Sequence, residues 1–427
     1  MQQTRKIIVI SYHYPPKPGI GGVRISGLTK YLARNGWDPI VVTPSSESIS
    51  IPSYPIRVIE TKKKDRLAKF QQLIGQDRIE KNYSNSYVNS SSSYLGRLKL
   101  KLESFVKWLI TFPDRYYGWG NYALEAINNL LITEQIYAII SSSNPFVAHI
   151  IASKIKRKNP QIRWIADFRD LWSQCHYLEI SRLQRKIMQL YEKVILRNAD
   201  ILVTISEPLS QILQSFYKTK TVYTILNGFD PDEIVRPSIT DKFEIVYTGQ
   251  FYKGKRDPEL LFKAIAGLIK EEKIAPDKIE VNIYGPKVGW IDLLSEKYGL
   301  QGIIKQHGIV NRKDVLVYQA KAQMLLLLGW DNPMDYGNYT GKIFEYLLAR
   351  RPILAIGYSD GVVNDLLRSI GAGKSASTCT QVRDILIEYY NEYLKYGSIR
   401  YYADESRLSQ YSQIEMGRRY NDLLISL

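Results

Sequence analysis

Asn338-Tyr339-Thr340-Gly341-Lys342-Ile343-Phe344-Glu345 sets a lysine and a glutamate one turn apart where a helix begins. Asn338, Thr340 and Gly341 can cap or free that start, leaving backbone N–H groups without intrahelical partners and a partial positive charge. An anion, a phosphate above all, fits such an end. Lys342 adds a full charge, and Glu345 can accept hydrogen bonds from ligand hydroxyls. Phe344, Leu347 and Leu348 anchor the helix, Arg350-Arg351-Pro352 stops it, and Ile353-Leu354-Ala355-Ile356 follows as an apolar strand. An amphipathic helix feeding a buried strand accounts for the same residues without any ligand, so both readings stand at this point.

Other chemistry-bearing groups fall at strand ends. Tyr14-Pro15-Pro16-Lys17-Pro18-Gly19-Ile20-Gly21-Gly22-Val23-Arg24 reads as a glycine-rich turn before a helix, with Gly21 and Gly22 free to approach a ligand and Arg24 placed to reach an anion. A dinucleotide fingerprint fails there, because Arg24 stands where the third glycine belongs and the second strand ends without an acidic residue. A Walker loop fails at 337–343, where Gly337 and Gly341 are one residue too close and Ile343 replaces the Ser/Thr. Ser141-Ser142-Ser143-Asn144 leads to His149, read first as a buried structural group and kept as a catalytic candidate. Ala166-Asp167-Phe168-Arg169-Asp170 ends the next strand. Asp167, Arg169 and Asp170 can orient a hydroxyl or stabilise developing charge, or simply tie two loops together. Ser206-Glu207-Pro208 and Asn227-Gly228-Phe229-Asp230 read as strand-end turns that carry ligand-type residues. After Tyr247-Thr248-Gly249, Lys255 and Arg256 are basic residues able to face Lys342 across a shared diphosphate.

The elements that must position these groups alternate strand and helix. Strands are expected at 6–11, 39–43, 57–60, 138–141, 163–167 and 201–205, and helices at 22–35, 122–134, 145–158 and 183–198. A second cycle begins at 243–248 and runs through helix 258–272, strand 279–284, helix 291–298, strand 303–307, helix 312–319, strand 324–328, helix 341–349 and strand 353–356. Apolar strands separated by helices predict parallel sheets covered on both faces. Pro231 and Pro237 interrupt the pattern, which places one domain over 1–235 and the next over 236–405. Two such domains are expected to face a central cleft at the carboxyl ends of their strands.

With 427 residues, two domains of roughly 200 residues each are the default. A composition 45% hydrophobic and 23% charged argues against global disorder. The two cysteines lie far apart and the four histidines lack metal-ligand spacing, so no metal site is expected. The apolar run at 7–10 is too short for a signal-peptide core, and none approaches the ~18 residues of a membrane span. The expectation is a cytoplasmic protein, soluble or peripheral at the inner face of the cell membrane. The net charge is +16, and residues 62–115 hold twelve basic against five acidic side chains. Interleaved Leu98, Leu100, Leu102, Phe105, Trp108 and Leu109 make this insertion, near 61–115, a candidate for an anionic membrane surface. A solvated basic face is the alternative. Without a recognisable binding module, nucleic acid is not expected.

Taken together and in order, Gly21-Gly22 with Arg24, Asp167-Phe168-Arg169-Asp170-Leu171-Trp172, Asn227-Gly228-Phe229-Asp230, Tyr247-Thr248-Gly249, Tyr284-Gly285-Pro286, His307-Gly308 and 340–348 resemble the GT-B glycosyltransferases of family 4, the group 1 family. The resemblance implies an α/β fold of two Rossmann-like domains and retaining transfer of a hexosyl or deoxyhexosyl group from a nucleotide-diphosphate sugar, without a metal or other cofactor. It implies an acceptor on the N-terminal domain, a lipid-linked or polysaccharide glycan, and a UDP, GDP or dTDP donor on the C-terminal one. Donor contacts would come from Gly21, Gly22, Arg24, Gly249, Lys255, Arg256, Gly285, Thr340, Gly341, Lys342 and Glu345, with Glu345 on the ribose, and catalysis from Asp167, Arg169, Asp170 and His149. A C-terminal helix over 406–427 would return to the N-terminal domain. The chain departs from the family at Gly337, where a second glutamate belongs, at Gln250, where an arginine is familiar, and in lacking a histidine near Asp167. A nucleotide-sugar epimerase on the same fold and a non-catalytic membrane-surface scaffold are the competing functions.

Overall fold

The computed structural model describes residues 5–16, 20–46, 54–65, 104–178, 180–251 and 255–427. The 84–93 serine loop and the basic insertion between 66 and 103 lie outside them, as do Lys17, Pro18 and Gly19 of the glycine-rich turn. Among the described residues no helix is long and apolar enough to cross a membrane.

Runs of Ile, Val and Leu form strands buried on both faces, which only a parallel sheet covered by helices can use. In the first unit β1 (Arg5–Ser11), β2 (Trp37–Pro44), β3 (Arg57–Thr61), β4 (Ile136–Ser143), β5 (Arg163–Phe168), β6 (Ile201–Thr204) and β7 (Thr221–Thr224) make a seven-stranded sheet in the order β3-β2-β1-β4-β5-β6-β7. All pairings are parallel, and Ile8 sits opposite Ile40 on one side and Ile139 on the other. Two buried indoles donate to hydroxyls on these strands. Trp164 Nε1 donates to Ser141 Oγ at 2.8 Å, and Trp119 Nε1 to Thr61 Oγ1 at 2.8 Å.

The second unit holds β8 (Phe243–Thr248), β9 (Ile279–Tyr284), β10 (Ile304–Gly308), β11 (Met324–Leu328), β12 (Ile353–Ile356) and β13 (Gly373–Ala376), ordered β10-β9-β8-β11-β12-β13. Strand periodicity sorts its core into two layers. Ile245 and Tyr247 of β8 and Met324, Leu326 and Leu328 of β11 pack with Leu261, Leu268, Leu386 and Tyr390. Val246, Leu325 and Leu327 face the other way, onto Ile343, Phe344 and Leu347 of the helix Gly341–Ala349. That helix is therefore fixed by its apolar face, with Lys342 and Glu345 off the core. Tyr346 pins it further: its hydroxyl donates to the Leu326 carbonyl at 3.0 Å and accepts from Thr248 N at 3.1 Å.

The first unit comprises Met1–Ile205, Ser210–Ile225 and Gly417–Leu427, and the second Ser206–Leu209 and Leu226–Met416. Three local expectations are corrected. Gly21 lies inside the helix Ile20–Arg34, which takes in residues ahead of the expected 22–35, and not in a turn before it. Glu207 and Pro208 open a helix, Glu207–Phe216, because proline is tolerated in a first turn. The C-terminal segment is not one helix. It runs as Glu405–Leu408, a 3-10 turn Ser409–Tyr411, and Gln413–Ser426. The break is a tie between chain segments, with Phe229 N donating to the Tyr411 carbonyl at 3.0 Å and Gln413 N to the Phe229 carbonyl at 2.8 Å. A Cβ on Gly228 would lie 2.3 Å from the Ser412 carbonyl carbon. The Asn227-Gly228-Phe229 motif thus serves this close packing.

Candidate functional site

In the second unit strand order reverses between β8 and β11, and the β8 carboxyl end opens the location where ligands collect in open α/β sheets. β8 ends at Thr248, and Gly249 follows with φ +125°. Lys342, in the first turn of Gly341–Ala349, lies directly over this glycine. A Cβ at 249 would fall 2.2 Å from both Cε and Nζ of the lysine. Gly285 completes the fit, since a Cβ there would meet the Gly249 carbonyl oxygen at 2.1 Å. Lys342 Nζ donates to the Tyr247 hydroxyl at 3.0 Å and stands 4.2 Å from the Tyr247 ring centroid. The hydroxyl in turn donates to the Gln250 carbonyl at 2.7 Å. Arg256 also hydrogen-bonds Tyr247. Burial, then the nearby Arg256 cation, push the Lys342 ammonium well below its ordinary range, against a smaller opposing effect of Glu345. Two cations crowded onto one tyrosine favour the arrival of negative charge.

Thr340 takes the extended N-cap conformation and its side chain makes no capping hydrogen bond. Asn338, expected to help cap, instead donates from Nδ2 to Asp335 Oδ1 at 2.8 Å. Lys255 Nζ lies 4.2 Å from the Trp330 ring centroid. Glu345 is half-buried, and burial raises its carboxyl while Arg312 and a hydrogen bond from Gln319 oppose the shift. Arg312 Nε is 3.5 Å from Glu345 Oε1, and its Nη1 and Nη2 donate to Glu233 at 2.6 and 2.8 Å. Gln319 is fully buried and donates to Thr248 Oγ1 at 3.0 Å. Sequence reasoning gave the side chains of Tyr247, Arg312, Gln319 and Glu233 no role. Arg312 and Gln319 stand seven residues apart, a spacing that puts both on one helix face and was a readable signal.

The first-unit candidates sort differently. Asp167 and Arg24 have fully buried side chains and pair through two hydrogen bonds, Nη2 to Oδ1 at 2.8 Å and Nε to Oδ2 at 3.2 Å. Ser142 Oγ donates to Asp167 at 2.7 Å and Tyr420 OH at 2.8 Å, while Arg24 also reaches the Ile225 carbonyl at 3.1 Å. Burial pushes the Asp167 carboxyl up, but Arg24 and these hydrogen bonds prevail and hold it below its ordinary value. Arg24, expected to reach an anion, is turned inward. His149 is also fully buried. Its Nδ1 is 2.8 Å from Ser141 Oγ, its Nε2 has no partner, and burial holds its pKa down at about 3. The ring is therefore enclosed in the core and uncharged at neutral pH. Asp170 is exposed, and Arg169 bonds the Asn144 carbonyl and covers Gly21, where a Cβ would fall 1.7 Å from Nη1. Gly21 is therefore needed for the arginine, and Gly22 is buried beside it in the helix. Among the described residues no cluster of His, Cys, Asp and Glu could hold a metal ion.

No family model matches the sequence, and no curated protein matches it. Solved structures do align along nearly the whole chain. Sucrose-phosphate synthase from Thermosynechococcus elongatus aligns at 14% identity over 99% of this chain and 100% of its own, with a TM-score of 0.63. Anabaena Alr3699/HepE, in complex with UDP and glucose, aligns at 13% identity over 99% and 100%, with a TM-score of 0.62. The lipopolysaccharide outer core galactosyltransferase WaaB aligns at 11% identity over 99% and 99%, with a TM-score of 0.54. Two parallel Rossmann-like sheets of seven and six strands, in one chain aligned end to end with these proteins, give this chain the GT-B fold of glycosyltransferases.

Proposed function

We propose that this chain is a glycosyltransferase that takes a sugar from a nucleotide-diphosphate donor bound on its second unit. The observation that carries the reading is Lys342, seated on Gly249 at a helix N-terminus with Arg256 beside it and Glu345 one turn on. Cations and N–H dipoles suit a diphosphate, and a half-buried carboxylate suits paired ribose hydroxyls. The UDP complexes among structures of the same fold support this choice of ligand.

In the transfer, the bond from the sugar's anomeric carbon to the diphosphate oxygen breaks with its electron pair going to the phosphate. An acceptor hydroxyl bonds that carbon and its proton passes to the departing diphosphate oxygen. Lys342, Arg256 and the helix N-terminus meet the charge that grows on the departing diphosphate, and they are in place before it grows. Family 4 membership, retention of anomeric configuration, a hexosyl or deoxyhexosyl group, independence of metal, and a lipid-linked or polysaccharide acceptor bound by the N-terminal domain at the cytoplasmic membrane face complete the proposal. They rest on the motif resemblance.

A thermal-shift screen with UDP-, GDP- and dTDP-sugars, followed by turnover of the stabilising donor with and without chelator, tests it. A rise in melting temperature with one base series, reduced in Lys342→Met, is expected. An epimerised donor with no transfer, or no shift with any nucleotide, would overturn it.

A further inference from the structure

The helix Arg182–Leu196 turns an apolar row toward solvent. Leu183, Ile187, Leu190 and Val194 are 68%, 39%, 67% and 68% exposed. Steps of four, three and four put them in one line over roughly 16 Å of helix. Gln184, Met188, Glu192 and Leu196 occupy the buried face, so the row is not the core side of the helix. Single exposed leucines are ordinary, but a continuous row is not.

Charge decides what covers it. Arg182, Lys186, Lys193 and Arg197 are exposed along the same helix. Its only acid, Glu192, is fully buried and accepts from Ser173 N at 3.0 Å and Tyr217 OH at 2.9 Å. The helix 104–111 is linked to it through Phe112, whose ring contacts Trp108 at 5.1 Å and Tyr191 at 5.3 Å. It exposes Phe105 and Leu109 and carries Lys107 but no acid.

Leucines at 183 and 190 alternating with Ile187 and Val194 also fit a coiled-coil seam. Two copies meeting there would set four cations against their own kind with no exposed acid on either helix, which opposes association. An anionic bilayer answers both halves of the surface. The apolar row enters the boundary between headgroups and acyl chains, while the lysine and arginine stems reach back to lipid phosphates. We infer that the exposed face of Arg182–Leu196, with the neighbouring helix 104–111, docks this protein on an anionic lipid surface. The inference gives the membrane-face part of the functional proposal a physical site and requires nothing of the donor reading.

The full chain is sedimented with phosphatidylcholine vesicles, plain or containing about a third phosphatidylglycerol, in the absence of nucleotide. Binding to the anionic vesicles alone, weakening with salt, is expected. Leu183→Ser with Leu190→Ser keeps the charge and should weaken binding by on the order of 10-fold. Arg182→Glu, Lys186→Glu, Lys193→Glu and Arg197→Glu combined should abolish it. Every substituted position is exposed, so circular dichroism and melting temperature should stay near those of the parent. Equal binding by parent and both variants, or none by the parent, would overturn the inference. So would a dimer in light scattering that Leu190→Glu converts to monomer, which would identify a second copy as the occupant. Because no sugar transfer is read, a failed vesicle experiment and a failed donor screen are distinct results.

Discussion

Arg24 and Asp167 form an ion pair whose two side chains are both fully buried, 143 residues apart in sequence. Tyr420 closes it from the C-terminal segment. Removing one partner leaves a buried charge uncompensated. Asp167→Asn or Arg24→Met should therefore cost roughly 3–5 kcal/mol of unfolding free energy. The double change Arg24→Met with Asp167→Leu should cost less than the two single changes summed, as measured by urea denaturation. Strict additivity would show that the pair is not coupled.

His149 gives a pH signature. Its folded pKa is depressed from the ordinary 6.5 to about 3, so below 6.5 the unfolded chain takes a proton that the folded chain refuses. Its contribution to stability is complete above 6.5 and declines as the pH falls toward 3, by at most about 1.4 kcal/mol per pH unit. His149→Phe should flatten stability against pH in that window. It should leave any neutral-pH activity profile unshifted, since the ring is uncharged there.

Lys342 is shifted in the same direction, in a higher pH range. Its folded pKa lies well below 10.5, so in the empty protein holding this cation opposes folding, and the penalty eases as pH rises through the folded value toward 10.5. Lys342→Met should accordingly stabilise the ligand-free protein at neutral pH. The same change should weaken binding of a nucleoside diphosphate by roughly 1.5–3 kcal/mol, the range of a hydrogen bond to a charged group. A bound diphosphate favours the charged lysine and raises its pKa back toward the ordinary range. Calorimetry in buffers of different ionisation enthalpy should record proton uptake in the parent and less in the variant.

Gly249→Ala strikes the same place through the backbone. Its φ of +125° disfavours any side chain, and the new Cβ would collide with Lys342. A loss of roughly 1–3 kcal/mol in stability is expected from the strain alone. Nucleotide affinity should fall as well, because the lysine must move; an alanine variant with parental affinity would remove the cradle from the argument.

Glu345→Ala separates the two halves of the proposed ligand. Affinity for a nucleoside diphosphate should drop about tenfold if two ribose hydroxyls lose their acceptor. Inorganic pyrophosphate, which has no ribose, should bind as tightly as before or slightly more so. A matching loss for both ligands would assign the carboxylate to charge balance with Arg312.

Strands β8, β9, β11 and β12 and the helix Gly341–Ala349 were legible residue by residue, because their apolar runs are bounded by Gly, Pro or charged residues. Less was visible where a signal was local and polar. The helix Cys379–Tyr396 starts with a full capping box from Thr378 and Gln381, a pattern present in the sequence and left unread. β7 alternates exposed and half-buried residues at a sheet edge and so lacks the continuous apolar run of its neighbours. In the site, Lys342 and Glu345 were readable because helix spacing fixes their relation. The partner of Arg24 was not, since only the finished sheet brings β5 and the helix Ile20–Arg34 together. The burial of His149 was the expected reading, and the inward turn of Arg24 was not.

The contact between Gly249 and Lys342 has a consequence for disorder rather than for charge. A free lysine side chain samples many rotamers, and fixing them costs up to about 2 kcal/mol. Here the missing Cβ lets the aliphatic stem lie on the backbone while Tyr247 takes the ammonium. The entropy is lost when the chain folds, so a ligand arriving later has no lysine left to order and keeps more of its interaction energy as affinity.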